Sequence, residues 1–145
     1  MNTLNEFRLT IESKSVNEAF SRAVVSAFIA PLDPTIEEVS DLKTAVSEAV
    51  TNSIVHGYKD TNGKIYIEGT YNEKSIVKIR IKDKGSGIEN VNLAMQPLYS
   101  TGEGDRAGLG FTVMQSFCDR VNVTSKVNKG TTVTLVKRIA GRSKW

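Results

Sequence analysis

The sequence predicts one domain of the α/β (α+β) class: a two-layer sandwich with a mixed, mostly antiparallel sheet and helices on one face. The chain of 145 residues is about the length of one domain. Its 39% hydrophobic and 24% charged residues exclude a disordered chain or a coiled coil. The hydropathy periods give the order β-α-α-β-β-loop-α-β-β, which lacks the regular alternation of a parallel sheet.

The first part of the chain predicts a strand and a helix. Apolar and polar residues alternate from Phe7 to Ile11, and this period of two indicates a strand with one buried face. Ser15 and Glu18 are spaced as a capping box at the start of the first helix. An apolar stripe at helical spacing follows, and Pro31 is expected to end the helix.

A second helix and a hairpin come next. Asp33 is the predicted N-cap of this helix, with Pro34 in its first turn. Apolar residues at helical spacing carry the helix toward Gly57, a natural end. Two β-rich runs, 65–67 and 76–81, are separated by a polar turn and predict an antiparallel hairpin.

The last part predicts a loop, a helix and a second hairpin. Residues 89–107 show no clear period and are interpreted as a mobile loop. Gly108 is expected to begin a third helix that runs to about Cys118. The runs 121–123 and 133–135 then form the final hairpin.

Charge and cysteine content narrow the class of protein. The net charge is +3, but four basic residues lie in the last nine positions, 137–145, which contain no acid. The excess therefore belongs to a basic tail, and a nucleic-acid groove on the folded body is not expected. The lone Cys118 excludes an intrachain disulfide, and the N-terminus lacks a signal-peptide pattern. We therefore expect a cytoplasmic protein whose single domain spans 1–145.

Glu48 and Asn52 lie four residues apart on the second predicted helix, so they share a face. A carboxylate at this position can accept a proton from a nucleophile. The neighbouring amide oxygen can ligate Mg²⁺, which prefers oxygen ligands. Alone, the pair is more typical of a solvated helix face.

Two glycine motifs follow. Asp83 precedes a turn with Gly85 and Gly87, in which the acid can accept a hydrogen bond from an amino group while the glycines let a flat ring approach. The Gly108-Leu109-Gly110 motif would place backbone N–H groups at a helix start, which suits phosphate. Each motif also fits an ordinary turn or loop, and neither is a Walker A loop or a dinucleotide fingerprint.

The order of these motifs resembles the GHKL, or Bergerat-fold, ATPases and kinases over roughly residues 11–135. Glu-x-x-x-Asn on a helix is followed by Asp-x-Gly-x-Gly, by a loop that ends in Gly-x-Gly, and by Gly-Thr-Thr in the last hairpin. Residues 47–52, 56–58 and 83–88 resemble most the bacterial anti-sigma factors with serine kinase activity. Residues 128–133 and the short chain are similar to the sporulation type found in endospore formers.

The resemblance implies a MgATP site. Glu48 would be the general base, Asn52 the Mg²⁺ ligand and Asp83 the adenine reader. Gly85 and Gly87 would line the adenine pocket.

The resemblance also implies a lid over the phosphates. Arg106, Gly108 and Gly110 would belong to it, with Arg106 near the γ-phosphate. Thr131 would support the adenine end through water.

Departures from other GHKL members narrow the implied activity. Ser47 stands where histidine kinases usually carry a histidine, and the only histidine, His56, is expected to be structural. The short lid also disfavours the chaperone, gyrase and mismatch-repair members. The implied reaction is phosphoryl transfer from ATP to a serine of a partner protein.

The resemblance implies two partners, a sigma factor held away from RNA polymerase and an anti-anti-sigma protein that is the phosphorylation substrate. The edge of the first strand favours a homodimer, and Arg22, off the buried stripe, is either a partner contact or a solvated side chain. Two alternatives stay open: an anti-sigma factor of the general stress response, and a sequestering module that binds ATP without transferring phosphate.

Overall fold

A computed structural model describes residues 2–96 and 105–142, and side chains are not described for 105–109. The elements follow in the order β1 (Thr3–Glu12), α1 (Val16–Ile29), a 3₁₀ turn (Ala30–Leu32), α2 (Ile36–Asn52), a π turn (Ser53–Gly57), β2 (Lys64–Asn72), β3 (Ile76–Asp83), α3 (Val91–Ala94), α4 (Asp105–Phe117), β4 (Arg120–Lys126) and β5 (Gly130–Arg138).

The strands form one five-stranded sheet in the order β1-β2-β3-β5-β4. Each neighbouring pair is antiparallel, so the described sheet contains no parallel pair although the sequence predicted a mixed one. Alternate residues of β3 are buried, while Lys78, Arg80 and Lys82 between them are exposed. This alternation confirms a two-layer sandwich in which one face of the sheet is covered by helices. Strand β1 lies at an edge of the sheet.

The core fills the space between the sheet and the helices. α1 and α4 both pack against α2. The largest fully buried side chains come from every layer: Val25, Ile29, Leu42, Val46, Val50, Ile65, Ile67, Ile79, Ile81, Phe111, Met114 and Leu135. Helix α2 is therefore the central helix, and its C-terminal end is held firmly between the sheet and α4. No helix in the described ranges has the length and hydropathy needed to span a bilayer.

The start of α2 differs from the prediction. Thr35 is the N-cap: its hydroxyl accepts from the Glu38 N–H at 3.0 Å, and the Thr35 N–H donates to the Glu38 carboxylate at 2.9 Å. Asp33, the predicted cap, adopts a left-handed φ of 53° and closes the preceding 3₁₀ turn. The prediction was wrong because this reciprocal box satisfies two backbone donors, whereas Asp33 belongs to the turn before it.

The capping box predicted at the start of α1 is also wrong. Ser15 is the N-cap residue, but its side chain makes no capping hydrogen bond. The Glu18 carboxylate instead accepts from the Ser47 hydroxyl of α2 and pairs with Arg22 at 3.3 Å. A tertiary contact between helices has replaced the local one.

The segment after β3 holds two further corrections. The predicted loop 89–107 contains helix α3, too short to show a period. Helix α4 begins at Asp105 rather than at Gly108, so Gly108 and Gly110 lie inside it. A helix interior tolerates glycine at a cost of about 1 kcal/mol relative to alanine, and glycine was therefore an unreliable start signal. Of the lid predicted over 97–107, residues 97–104 lie outside the described residues, and 105–107 belong to helix α4.

The basic C-terminal segment is docked on the body as far as Arg142. The N–H groups of Ala140 and Gly141 donate to the Glu38 carboxylate at 2.7 and 3.2 Å. The Arg142 Nε donates to Asp33 at 2.8 Å. β5 also includes the first two residues of the predicted tail, so this charge is anchored to the start of α2.

Candidate functional site

A cavity of about 520 Å³ opens at the C-terminal end of α2. Its walls come from five places in the chain: α2 with the π turn and Lys59, Asp83 at the end of β3, residues 86–94 including α3, the buried Phe111 of α4, and β5. The lining combines apolar surface with a few polar side chains, as is common in small-molecule sites. Four predicted site residues line it: Asn52, Asp83, Gly87 and Thr131.

The C-terminal end of α2 and the π turn that continues it line the cavity together. Ala49, Asn52, Ser53 and His56 line the same wall, as their spacing along a helical face requires. π turns are rare and frequently mark functional sites. Ser53, the first residue of this turn, is among the lining residues.

Asp83, the last residue of β3, is a buried carboxylate on this wall with only 4% of its surface exposed. Its Oδ1 accepts from the Gly85 N–H at 3.0 Å and from the Thr131 N–H at 3.2 Å. Its Oδ2 accepts from the Ser53 hydroxyl at 2.8 Å. Three donors from three elements therefore fix a buried acceptor at one end of the cavity.

Asn52 has the opposite surroundings. Its Oδ1 and Nδ2 are both buried, and neither has a hydrogen-bond partner in the described part of the chain. Gly110 leaves the amide its space, because a Cβ atom there would lie 3.2 Å from Nδ2. An unsatisfied buried amide is costly, and its oxygen is a suitable ligand for a hard cation such as Mg²⁺. The residue fits the predicted role as a metal ligand.

The glycine turn after β3 is wedged between neighbouring backbones. Ser86 N donates to the Gly57 carbonyl at 2.8 Å. Gly87 has a φ of +76°, and a Cβ atom there would lie 2.1 Å from the Lys126 carbonyl oxygen. A Cβ atom at Gly85 would lie 2.2 Å from the Gly57 carbonyl oxygen. Gly87 thus lines the cavity, whereas Gly85 packs behind the wall and is not among the lining residues.

The remaining predicted residues lie elsewhere. Glu48 is half-buried one turn before Asn52 and is not among the residues that line the cavity. Gly110 is buried beside Asn52. Arg106 and Gly108 lie in α4, within the stretch whose side chains are not described.

Sequence reasoning missed several residues of the site. Ser53 and Gly57 contact Asp83, and the signal that was available was the continuation of the α2 face beyond Asn52. Residues of α3 also line the cavity, and no local sequence pattern predicted them. Tyr58 holds the π turn in place, since its hydroxyl donates to the Lys64 carbonyl at 2.6 Å and accepts from the Lys84 N–H at 2.7 Å.

Burial raises the pKa of Tyr58, and this effect outweighs the hydrogen bond from the Lys84 N–H that lowers it. The phenol therefore keeps its proton at neutral pH and remains a donor to the Lys64 carbonyl. The anchor of the π turn does not titrate in the physiological range.

Comparison with known proteins gives three kinds of match. Residues 12–137 match the family model described as a histidine kinase-like ATPase domain. A protein of Anoxybacillus flavithermus named anti-sigma F factor is 51% identical over 137 residues, which is 93% of each chain. Anti-sigma F factors of Thermoanaerobacter sp. (strain X514) and Clostridium kluyveri are 52% and 49% identical, and the matches cover 96% and 92% of this chain and 97% and 94% of theirs.

Solved structures share the fold. The RsbU and RsbW domains of a Mycobacterium tuberculosis protein superpose with a TM-score of 0.69 at 18% identity, covering 93% of this chain and 32% of that one. A histidine kinase domain from Erythrobacter litoralis superposes with a TM-score of 0.56 at 17% identity, covering 85% and 61%. Both likenesses are limited to the fold.

Proposed function

This chain belongs to the anti-sigma F factors of the histidine kinase-like ATPase family, and on that premise we propose that it sequesters a sigma factor of the sporulation (sigma F) type and phosphorylates a serine of an anti-anti-sigma protein with MgATP. The observation that carries the proposal is that Asp83 and Asn52 line the same cavity. The Asp83 carboxylate accepts hydrogen bonds on both oxygens, and the buried Asn52 amide has no hydrogen-bond partner among the described residues.

The adenine end of the proposed site is built around Asp83. Its carboxylate accepts a hydrogen bond from the adenine amino group, and Gly87, which packs against the Lys126 backbone, lines the same cavity. The Thr131 N–H already binds Asp83, and its hydroxyl lies 2.7 Å from the Ser125 hydroxyl. Thr131 therefore supports this end of the cavity.

The phosphate end is built around Asn52. Its amide oxygen holds Mg²⁺, which neutralises the charge on the phosphates when it is bound. Gly110 keeps the space beside this amide open. Arg106, in the first turn of α4, supplies positive charge for the γ-phosphate.

Glu48 is the proposed general base. It lies on the same helix one turn before Asn52, and its carboxylate accepts the proton of the partner's serine as the hydroxyl attacks. Its side chain is not among those that line the cavity. The same observation favours a second candidate, a module that binds ATP and the sigma factor without transferring phosphate.

We further propose that the protein acts in the cytoplasm as a homodimer. β1 is an edge strand, and its first four residues are exposed. An exposed edge can pair with a second copy of the chain.

One experiment tests the function as a whole. The protein is incubated with γ-labelled ATP, Mg²⁺ and the anti-anti-sigma protein, and a parallel sample is tested for capture of purified sigma factor. Label on a partner serine together with sigma capture supports the proposal. Capture without label supports the sequestering module, and the general stress sigma factor is the control for partner identity.

A further inference from the structure

We propose that Ser53 is a positioning residue for base recognition, because its hydroxyl fixes the oxygen of Asp83 that meets a purine amino group. The inference rests on the proposed nucleotide site. It concerns Ser53, a residue that the motifs did not single out, which is the first residue of the π turn after α2 and lines the cavity.

The contact between the two side chains is buried and short. Ser53 and Asp83 are each 4% exposed, and both line the cavity. The Ser53 Oγ donates to Asp83 Oδ2 at 2.8 Å. A buried hydrogen bond to a carboxylate in this range is among the stronger side-chain contacts.

The two carboxylate oxygens of Asp83 have different partners. Oδ1 accepts from two backbone groups, the N–H of Gly85 and the N–H of Thr131. Oδ2 accepts from Ser53 alone among the described residues. Since each carboxylate oxygen offers about two acceptor sites, Oδ2 is the oxygen with capacity left for a donor on a ligand.

Ser53 therefore controls the orientation of the oxygen that reads the base. The terminal torsion of an aspartate is broad, so the plane of its carboxylate is set by its hydrogen-bond donors. Without the Ser53 hydroxyl, Oδ2 has no donor among the described residues. The amino group of the ligand would then have to order that oxygen at the cost of binding free energy.

A structural role for Ser53 predicts something else. If the hydroxyl only stabilised the fold, its removal would weaken all ligands of the cavity alike. A positioning role is selective, because it matters only for a ligand that carries the amino group. Purine riboside 5′-diphosphate, which lacks the amino group of ADP, separates the two roles.

The test is calorimetric binding of ADP and of purine riboside 5′-diphosphate, with Mg²⁺, to the wild type and to Ser53→Ala. We expect Ser53→Ala to weaken ADP about three- to tenfold, the worth of one buried hydrogen bond, and to leave the affinity for purine riboside 5′-diphosphate unchanged. Ser53→Cys, which keeps the volume and a weak donor, should lie between wild type and alanine.

The matched control is Ser21→Ala. Ser21 is also a buried serine, and its hydroxyl donates to the Glu18 carbonyl at 2.7 Å, away from the cavity. This variant should leave both affinities unchanged, and thermal unfolding checks that each variant is folded.

Three results would overturn the inference: unchanged ADP affinity in Ser53→Ala, equal weakening of both ligands, or a wild type that binds both equally tightly. A wild type that binds neither ligand overturns the proposed nucleotide site itself. That failure is distinguishable because it appears before any variant is made.

Discussion

Asp83 and Asn52 are polar side chains on the wall of one cavity, and the fold surrounds them in opposite ways. Asp83 accepts hydrogen bonds from three elements. The amide of Asn52 is buried and has no hydrogen-bond partner among the described residues. The proposed adenine end is therefore held in place by the protein itself, whereas the proposed phosphate end contains a buried amide that no described residue binds. Unsatisfied buried groups of this kind are typical of functional sites.

The largest expected effect lies at the phosphate end. Glu48→Gln keeps the shape of the side chain and removes the proton acceptor, so transfer to the anti-anti-sigma protein should slow by roughly 10²- to 10⁴-fold. ATP binding and sigma capture should persist. The measurement is the rate of label transfer, with Glu37→Gln, an exposed glutamate in the first turn of the same helix, as control. Wild-type rates in Glu48→Gln would exclude the catalytic role.

Asn52→Ala removes the proposed Mg²⁺ ligand at the same phosphate end. Loss of an oxygen ligand should weaken Mg²⁺-dependent ATP binding on the order of 10- to 100-fold, the range seen when a metal site loses one of its supporting groups. The apo protein should keep its stability or gain up to about 1 kcal/mol, because an unsatisfied amide is removed. Mg²⁺ titration and chemical denaturation measure the two effects, with the exposed Asn122→Ala as control. Unchanged Mg²⁺ dependence, or a large loss of stability, would contradict the proposed role of the Asn52 amide as a Mg²⁺ ligand.

Arg106→Ala tests whether the phosphate end senses the γ-phosphate. Removal of this positive charge should reduce the preference for ATP over ADP and leave ADP binding nearly intact, because only ATP carries the group it contacts. Competition binding with both nucleotides measures the preference. Equal losses for the two nucleotides would show that Arg106 is not a γ-phosphate sensor.

Glu38 lies in the first turn of α2, at the opposite end from Asn52, and its contribution to stability depends on pH. Burial raises the pKa of Glu38, but hydrogen bonds from the N–H groups of Thr35, Ala140 and Gly141 outweigh it, so the pKa lies below its ordinary value of 4.5. The stabilisation of the folded state by Glu38 is therefore present above pH 4.5, and it is lost as the pH falls through the lower pKa of the folded protein.

The corresponding variant is Glu38→Gln. It should cost about 1–3 kcal/mol of unfolding free energy at pH 7, because hydrogen bonds to a charged acceptor are lost. The difference from wild type should shrink below pH 4.5. Denaturation at several pH values measures it, and a difference that does not depend on pH would contradict the account. ADP affinity should not change.

Local patterns predicted most of the fold. Both hairpins and all three long helices appear where alternation and helical spacing placed them. The helix starts were less accurate, since Asp33 and Thr35 are both good caps and the reciprocal box between Thr35 and Glu38 decides between them. The strand order, with β5 between β3 and β4, depends on contacts between distant residues that no local period encodes.

The site was predicted from the order of the motifs rather than from geometry. That order selected Asn52, Asp83, Gly87 and Thr131, which the fold brings together around one cavity. It could not show which glycine of the turn faces the cavity, and Gly85 lies behind it. Ser53 was missed because its contact spans 30 residues and exists only once β3 packs beside the π turn.

We propose above all that this cavity holds an adenine nucleotide whose amino group donates a hydrogen bond to Asp83. The most direct measurement is calorimetric binding of ADP to Asp83→Asn, in a sample shown to be folded. Because half of the acceptor becomes a donor, we expect ADP and ATP to weaken alike, by about five- to 100-fold, since both carry the same base. Unchanged ADP affinity in the folded variant would contradict the account.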